Sequence, residues 1–156
     1  MKIRIKNVTL LTMKEQDEAP FLGDILIDGD IISEIGPESN TMADEIIDGN
    51  GMAAMPGLIN AHQHTPMSLL RGFSDDLKLM DWLEKKMLPA EDRMTPEDIY
   101  WGAKLSMAEM IRSGTTAFAD MYIHMNEIAA AVQETGMRAS LTRGLVFMEE
   151  DGGRRL

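Results

Sequence analysis

His62 and His64 stand two positions apart at the end of a short apolar run, Leu58-Ile59-Asn60-Ala61. On an extended strand, residues i and i+2 project to one side, about 6–7 Å apart along the chain. Two imidazoles placed this way can converge on one cation, at about 2.0–2.1 Å from each nitrogen when the ion is zinc. A cation so held lowers the pKa of its bound water to about 7, which is chemistry suited to hydrolysis at neutral pH. Two ligands do not complete a catalytic zinc site, which commonly has three protein ligands and an open position. The competing reading of His-x-His is a pair of surface or hydrogen-bonded imidazoles. Strict alternation puts Leu58 and Asn60 on the histidines' face, lining an interior, and turns Ile59, Ala61 and Gln63 toward covering helices.

Other residues carry less by themselves. Glu91 follows Pro89-Ala90 after an amphipathic stretch from Leu79 to Leu88, and alone it reads as a solvated acid before a helix. Arg143 closes a strand whose Ala139 and Leu141 share its face, a place for a rim arginine paired with an acid. Trp82 fits either an apolar wall or helix packing. His124, in a loop after Asp120-Met121-Tyr122, is expected to make a structural hydrogen bond, and Asp120 to serve a cap or a loop. The 15 methionines fall mostly at helical spacing and read as adaptable core filling.

The elements that must position these residues change character along the chain. Ile3, Ile5, Val8 and Leu10 form one strand-like run, followed by Gly23–Ile27 and Ile31–Ile35. The last two flank Asp28-Gly29-Asp30, a hairpin signal because glycine supplies the positive φ of a tight turn. With Glu45–Asp48 they make a small β-unit with one buried face. Past Met55-Pro56-Gly57 the rhythm becomes strand, helix, strand, helix, strand. Thr95-Pro96-Glu97-Asp98 starts a helix that stops near Ser113-Gly114, and Thr115–Asp120 is a strand. Asn126 caps a helix that ends at Gly136, and Met137–Val146 is the next strand. The tail from Glu149 reads as a polar loop. This is the βαβ pattern of a parallel sheet. No Gly-x-Gly-x-x-Gly opens a helix, which argues against a dinucleotide-binding sheet. The sheet could belong to a (β/α)8 barrel or be open; a barrel takes roughly 250 residues and about 100 follow Met55, so if it is a barrel about three of eight strands are expected.

Composition removes several classes. Lys+Arg 15 against Asp+Glu 26 gives a net charge of −11, the wrong sign for a nucleic-acid partner. With no cysteine, disulfides and thiolate metal sites are excluded, so any metal ligand is His, Asp or Glu. No apolar run reaches the roughly 18–20 residues of a membrane span. The N-terminal Met1–Met13 alternates and lacks the apolar core of a secretory signal, so a cytoplasmic location is expected.

The stretch Pro56-Gly57-Leu58-Ile59-Asn60-Ala61-His62-Gln63-His64 resembles the first metal motif of the amidohydrolase superfamily, in which Pro-Gly precedes a strand ending in His-x-His. Leu69-Leu70-Arg71-Gly72, Asp75-Asp76-Leu77, Asp81-Trp82-Leu83, Leu88-Pro89-Ala90-Glu91, Thr95-Pro96-Glu97-Asp98 and Ser113-Gly114-Thr115-Thr116 look like the branch of 5-methylthioadenosine/S-adenosylhomocysteine deaminases. Gln63 departs from the pattern, standing where threonine is usual. The resemblance covers essentially the whole chain but only about the first third of such an enzyme. It implies an α/β architecture in two parts: residues 1–55 as a β-sandwich segment, and residues 56–156 as the first three βα units of an incomplete (β/α)8 TIM barrel.

The resemblance also implies one divalent metal per subunit, zinc, with His62 and His64 as ligands. It makes Glu91 and Arg143 substrate-binding residues, Glu91 accepting hydrogen bonds from vicinal ribose hydroxyls and Arg143 reaching a carboxylate or ribose. Trp82 then walls a purine or thioether. The implied partner is a small nucleoside-like substrate, with neither nucleic acid nor membrane, and homo-oligomerisation stays open. The implied reaction is hydrolytic deamination of an adenosine derivative, adenine to hypoxanthine plus ammonia. The remaining ligands and the proton shuttle are expected outside these residues, so no catalytic acid or base is assigned within them. The alternatives are another aminohydrolase, a triazine-type chlorohydrolase, or a non-catalytic truncated module. These 156 residues alone, supplied with zinc and an adenosine derivative, should release no ammonia; ordinary enzymatic turnover would refute the partial-barrel reading.

Overall fold

The computed structural model describes residues 1–15 and 18–144. The expected end of the last strand at 145–146 and the polar tail from Glu149 lie outside the described residues. The chain divides into two compact units, Met1–Pro56 and Gly57–Leu156.

The first unit is a five-stranded sheet. β1 (Lys2–Leu10), β2 (Phe21–Asp28), β3 (Ile31–Gly36) and β4 (Glu45–Asp48) lie in the order β3-β2-β1-β4, and the short β5 (Ala53–Ala54) also pairs with β1. β1 runs antiparallel to β2 and parallel to β4 and β5. The hairpin forms at Asp28-Gly29-Asp30, with Gly29 at φ +64. β1 bulges between Ile5 and Val8, where Asn7 takes φ 56 and its N–H donates to Asp24 Oδ1 at 3.2 Å. Val8, Leu10 and Ile25 cluster on one side. The opposite side is not bare, contrary to the single buried face the sequence implies: Leu26, Asp24 and Arg4 are also buried. The period-two pattern of a strand registers its apolar members and passes over a buried aspartate and arginine.

The second unit carries a three-stranded parallel sheet in the order β6-β7-β8, built from β6 (Leu58–Gln63), β7 (Thr115–Tyr122) and β8 (Arg138–Arg143). A 3-10 turn (Thr65–Leu70) follows β6. Next come α1 (Leu79–Trp82), a π-helical stretch (Leu83–Met87) and α2 (Leu88–Glu91). α3 (Pro96–Arg112) leads into β7, and α4 (Met125–Thr135) into β8. α3 begins as its sequence dictates. Thr95 Oγ1 accepts from the Asp98 N–H at 3.2 Å, and Asp98 Oδ2 accepts from the Thr95 N–H at 2.8 Å, a reciprocal cap on two otherwise orphan donors. α3 buries Ile99, Ala103, Met107 and Met110 against Phe118 and Tyr122 of β7 and Ile128 and Ala131 of α4. The methionines there fill core, as their spacing implies.

Two details differ from expectation. α4 begins at Met125, not after a capping Asn126. His124 precedes it in the left-handed region (φ 49, ψ 48) and makes no side-chain capping bond. Asn126 falls inside the first turn because that backbone reversal starts the helix two residues sooner. Glu91, read as lying before a helix, ends one. Pro89 lacks the N–H an α-helix would use, and the helix widens ahead of it, so that the Leu88 N–H reaches Leu83 O. Among the described residues no helix is long and apolar enough to cross a membrane.

Gly102 lets α3 approach the turn after β6. A Cβ there would lie 2.8 Å from Pro66 O and 3.1 Å from Leu69 Cγ. Gly102→Ala should therefore destabilise the protein by about 1–3 kcal/mol, read as a lower denaturant midpoint, despite the helix propensity alanine adds.

Candidate metal and substrate site

The parallel pairing of β6 and β7 sets the site. Gln63 lies opposite Asp120, so the residue that follows, His64, reaches the end of β7. His64 Nδ1 sits 2.7 Å from Met121 O. A carbonyl only accepts, so Nδ1 carries the hydrogen and donates. In a neutral ring Nε2 is then the nitrogen with the lone pair, the arrangement a metal-binding imidazole needs. The His62 ring stands edge-on to His64, with centroids 5.1 Å apart and planes at 79°. The two imidazoles are neighbours, and the main-chain anchor holds His64 by the nitrogen that a cation would not use.

Asp120 fixes the chain immediately after His64. It is 3% exposed. Its Oδ2 accepts from the Thr65 N–H at 3.1 Å and from the Thr65 hydroxyl, while Ser106 Oγ of α3 donates to Thr65 O at 2.8 Å. Asp120 thus caps the 3-10 turn from a neighbouring strand, in keeping with the capping role expected of it. Burial pushes its pKa above the ordinary 3.8, partly opposed by the Thr65 hydrogen bonds and by His64. Asp120 Oδ1 is buried without a partner among the described residues.

β6 does not alternate cleanly. Its pairing with β7 shifts between Leu58 and Ile59 and again between Asn60 and Gln63. Asn60, expected on the histidines' face, lies opposite Phe118, which is buried among the helices. It donates to the Gln63 side chain and lines a cleft with Gln63 and with Ser106 and Glu109 of α3. The bulge supplies the reason, since an extra residue on one strand reverses the facing of those on either side of it.

A cleft of about 200 Å³ opens beside His64. Trp82, Leu83, Met87 and Met67 give it apolar walls, and Glu91 and Tyr122 bring polar groups. Trp82 and Glu91 therefore share one cavity with His64. The Tyr122 hydroxyl donates to Glu91 Oε1 at 2.8 Å, and its ring lies 6.0 Å from that of His64. Burial and the adjacent Glu91 carboxylate raise the Tyr122 pKa above the usual phenol value. Arg143 lies apart. It ends β8 on the same face as Ala139 and Leu141, and its Nη2 donates to Asn126 Oδ1 at 3.3 Å. It lines a separate cleft with His124 and Glu127, which shares only Tyr122 and Gly144 with the cleft that holds Trp82 and Glu91. Tyr122 and the Met121 carbonyl are the participants that sequence reasoning missed. The sole signal was their place at the end of a barrel-type strand, where active-site groups gather.

His62 and His64 fit part of a metal site. One has a defined tautomer, both are nitrogen donors, and their rings adjoin. No group of three or more His, Asp or Glu residues able to hold a metal occurs among the described residues.

Parallel strands with intervening helices, and histidines at the mouth of the first of them, are the arrangement of the N-terminal part of a (β/α)8 barrel. Residues 53–152 match the amidohydrolase family, and the chain belongs to it. It is 47% identical to a 5-methylthioadenosine/S-adenosylhomocysteine deaminase of Moorella thermoacetica, over 99% of this chain and 37% of that protein. Among solved structures it resembles an atrazine chlorohydrolase of Arthrobacter aurescens TC1 complexed with zinc, with a TM-score of 0.83 and 26% identity, over 97% of this chain and 37% of that one. An adenosine deaminase from Xanthomonas campestris with bound zinc gives a TM-score of 0.82 and 31% identity, over 88% of this chain and 32% of that one. The chain spans about a third of the length of these relatives.

The Asp120 environment yields a pH dependence. Its folded carboxyl keeps a proton to higher pH than the ordinary 3.8, so folding takes up a proton between that value and the raised one. Stability contributed by this group therefore falls as pH rises through that window. Asp120→Asn keeps an acceptor for Thr65 and removes the titration. From acid to neutral pH, the difference between its unfolding midpoint and that of the unsubstituted protein should shift in the variant's favour; parallel profiles would exclude the effect.

Proposed function

We propose that this chain contributes the first metal ligands and one wall of the substrate cleft to a metal-dependent deaminase. Its substrate is an adenosine derivative of the 5-methylthioadenosine/S-adenosylhomocysteine class, and its products are the hypoxanthine counterpart and ammonia. The observation that carries this reading is the His64 imidazole, locked by Met121 O with Nε2 free, beside His62 and on the same cleft as Glu91.

His62 and His64 would hold one divalent ion per subunit, and zinc is the ion named with two structural relatives. Bound there, it supplies a water acidified to a pKa of about 7, a nucleophile available at neutral pH. The protein's own residues orient the substrate. Glu91, half-buried at the end of α2, presents a carboxylate that accepts hydrogen bonds from vicinal ribose hydroxyls. Trp82, Met67 and Met87 give the cleft an apolar wall that excludes water and suits a purine or a thioether. Arg143, engaged with Asn126, would need to turn from its present partner to meet the distal part of a larger substrate.

A halide-displacing reaction is the second reading, favoured by the likeness to the atrazine chlorohydrolase. The 47% identity to a deaminase, against 26% to the chlorohydrolase, supports deamination. In a polypeptide carrying the complete barrel, ammonia should be released from 5-methylthioadenosine and no chloride from a chlorotriazine. His64→Ala there should cost more than the roughly 10–100-fold in metal affinity that loss of an outer partner costs. Retention of stoichiometric metal and turnover in that variant would remove the proposal.

A further inference from the structure

We infer that Tyr122 is a positioning residue for the substrate: its hydroxyl holds the Glu91 carboxylate so that one oxygen is committed to the phenol and the other is presented to the ribose. This rests on Glu91 binding the ribose, as proposed above.

A glutamate side chain turns about three bonds, and Glu91 stands at the last residue of a four-residue helix. Nothing in its own element fixes its carboxylate. The fixing contact comes from β7, where Tyr122 is 7% exposed and donates to Oε1 at 2.8 Å. Met94 Sδ, at 3.9 Å, is the other group near that hydroxyl and a weak acceptor, so the phenol proton goes to the carboxylate. The Tyr122 ring is packed in the helix-facing core with Phe118 and Ile128, which makes it a rigid support. Its neighbour Met121 holds His64 through the main chain. Two consecutive residues at the end of one strand thus hold the candidate metal ligand and the candidate ribose acceptor. The distance between the two groups is then set by β7 and not by the helical stretch that carries Glu91.

The test uses a polypeptide with the complete barrel. Tyr122→Phe removes a single oxygen and keeps the ring against His64. It should raise KM for 5-methylthioadenosine by about 10- to 150-fold, the size expected for one charge-assisted hydrogen bond, with kcat and metal content little changed. On the 2′,3′-dideoxy analogue, which offers no hydroxyls to Glu91, the variant and the parent should have equal KM. In a Glu91→Gln background, Tyr122→Phe should add nothing further. A penalty that persists on the dideoxy analogue, or a loss confined to kcat, would overturn the inference, since a merely structural role affects both substrates alike. A raised KM for Glu91→Gln with none for Tyr122→Phe would overturn it while leaving the role of Glu91 intact. If Glu91→Gln leaves KM unchanged on both substrates, the ribose role of Glu91 falls and the inference falls with it.

Discussion

The site depends on one strand pairing. β6 and β7 run parallel with Gln63 opposite Asp120, and from that register follow the His64 bond to Met121 O and the Asp120 bonds to Thr65. The register is held from the far side of the sheet. Phe118 and Tyr122, two strand repeats apart, are both sunk among α3 and α4. Sliding β7 by one residue would withdraw both from the core and put Ala117 and Met121, or Ala119 and Ile123, in their places. The imidazole tautomer is thus secured by hydrophobic packing on the opposite face, through a carbonyl whose position does not depend on the side chain attached to it.

Asp120 has a cost and a use. A carboxylate so deeply buried is disfavoured, and two hydrogen bonds from Thr65 offset part of that penalty. In return the chain leaves His64 in a fixed direction and enters a turn that Gly102 allows α3 to approach closely. Ser106 completes the arrangement from the helix. Strand, turn and helix are joined there by polar contacts at a point where apolar packing alone would leave the turn's first N–H unpaired.

Features carried by short-range chemistry were legible in the sequence. The hairpin at Gly29, the Thr95 cap, the barrel-type rhythm and the pairing of His62 with His64 each depend on residues within a few positions of one another. The bulge in β6 was not legible, because it arises from pairing with β7, more than 50 residues away. Asn60 and Gln63 were assigned to opposite faces for that reason. The Tyr122–Glu91 bond joins positions 31 apart and leaves no periodic trace. Arg143 shows both sides of this limit. Its place at the end of a strand was readable, whereas its engagement with Asn126 depended on how α4 began.

The π-helical stretch Leu83–Met87 governs what the cleft contains. Trp82 and Glu91 are nine residues apart, and on an ideal α-helix they would point about half a revolution away from each other. They nonetheless line the same cavity. The wide turn and the proline after it absorb the angular difference, acting as a phase shifter between the aromatic wall and the carboxylate. On the proposed function, helix pitch in this segment acts as a determinant of ligand choice, and deletion of one of Glu84, Lys85 and Lys86 would rotate the acid out of the cavity while keeping every cleft-lining side chain in the chain.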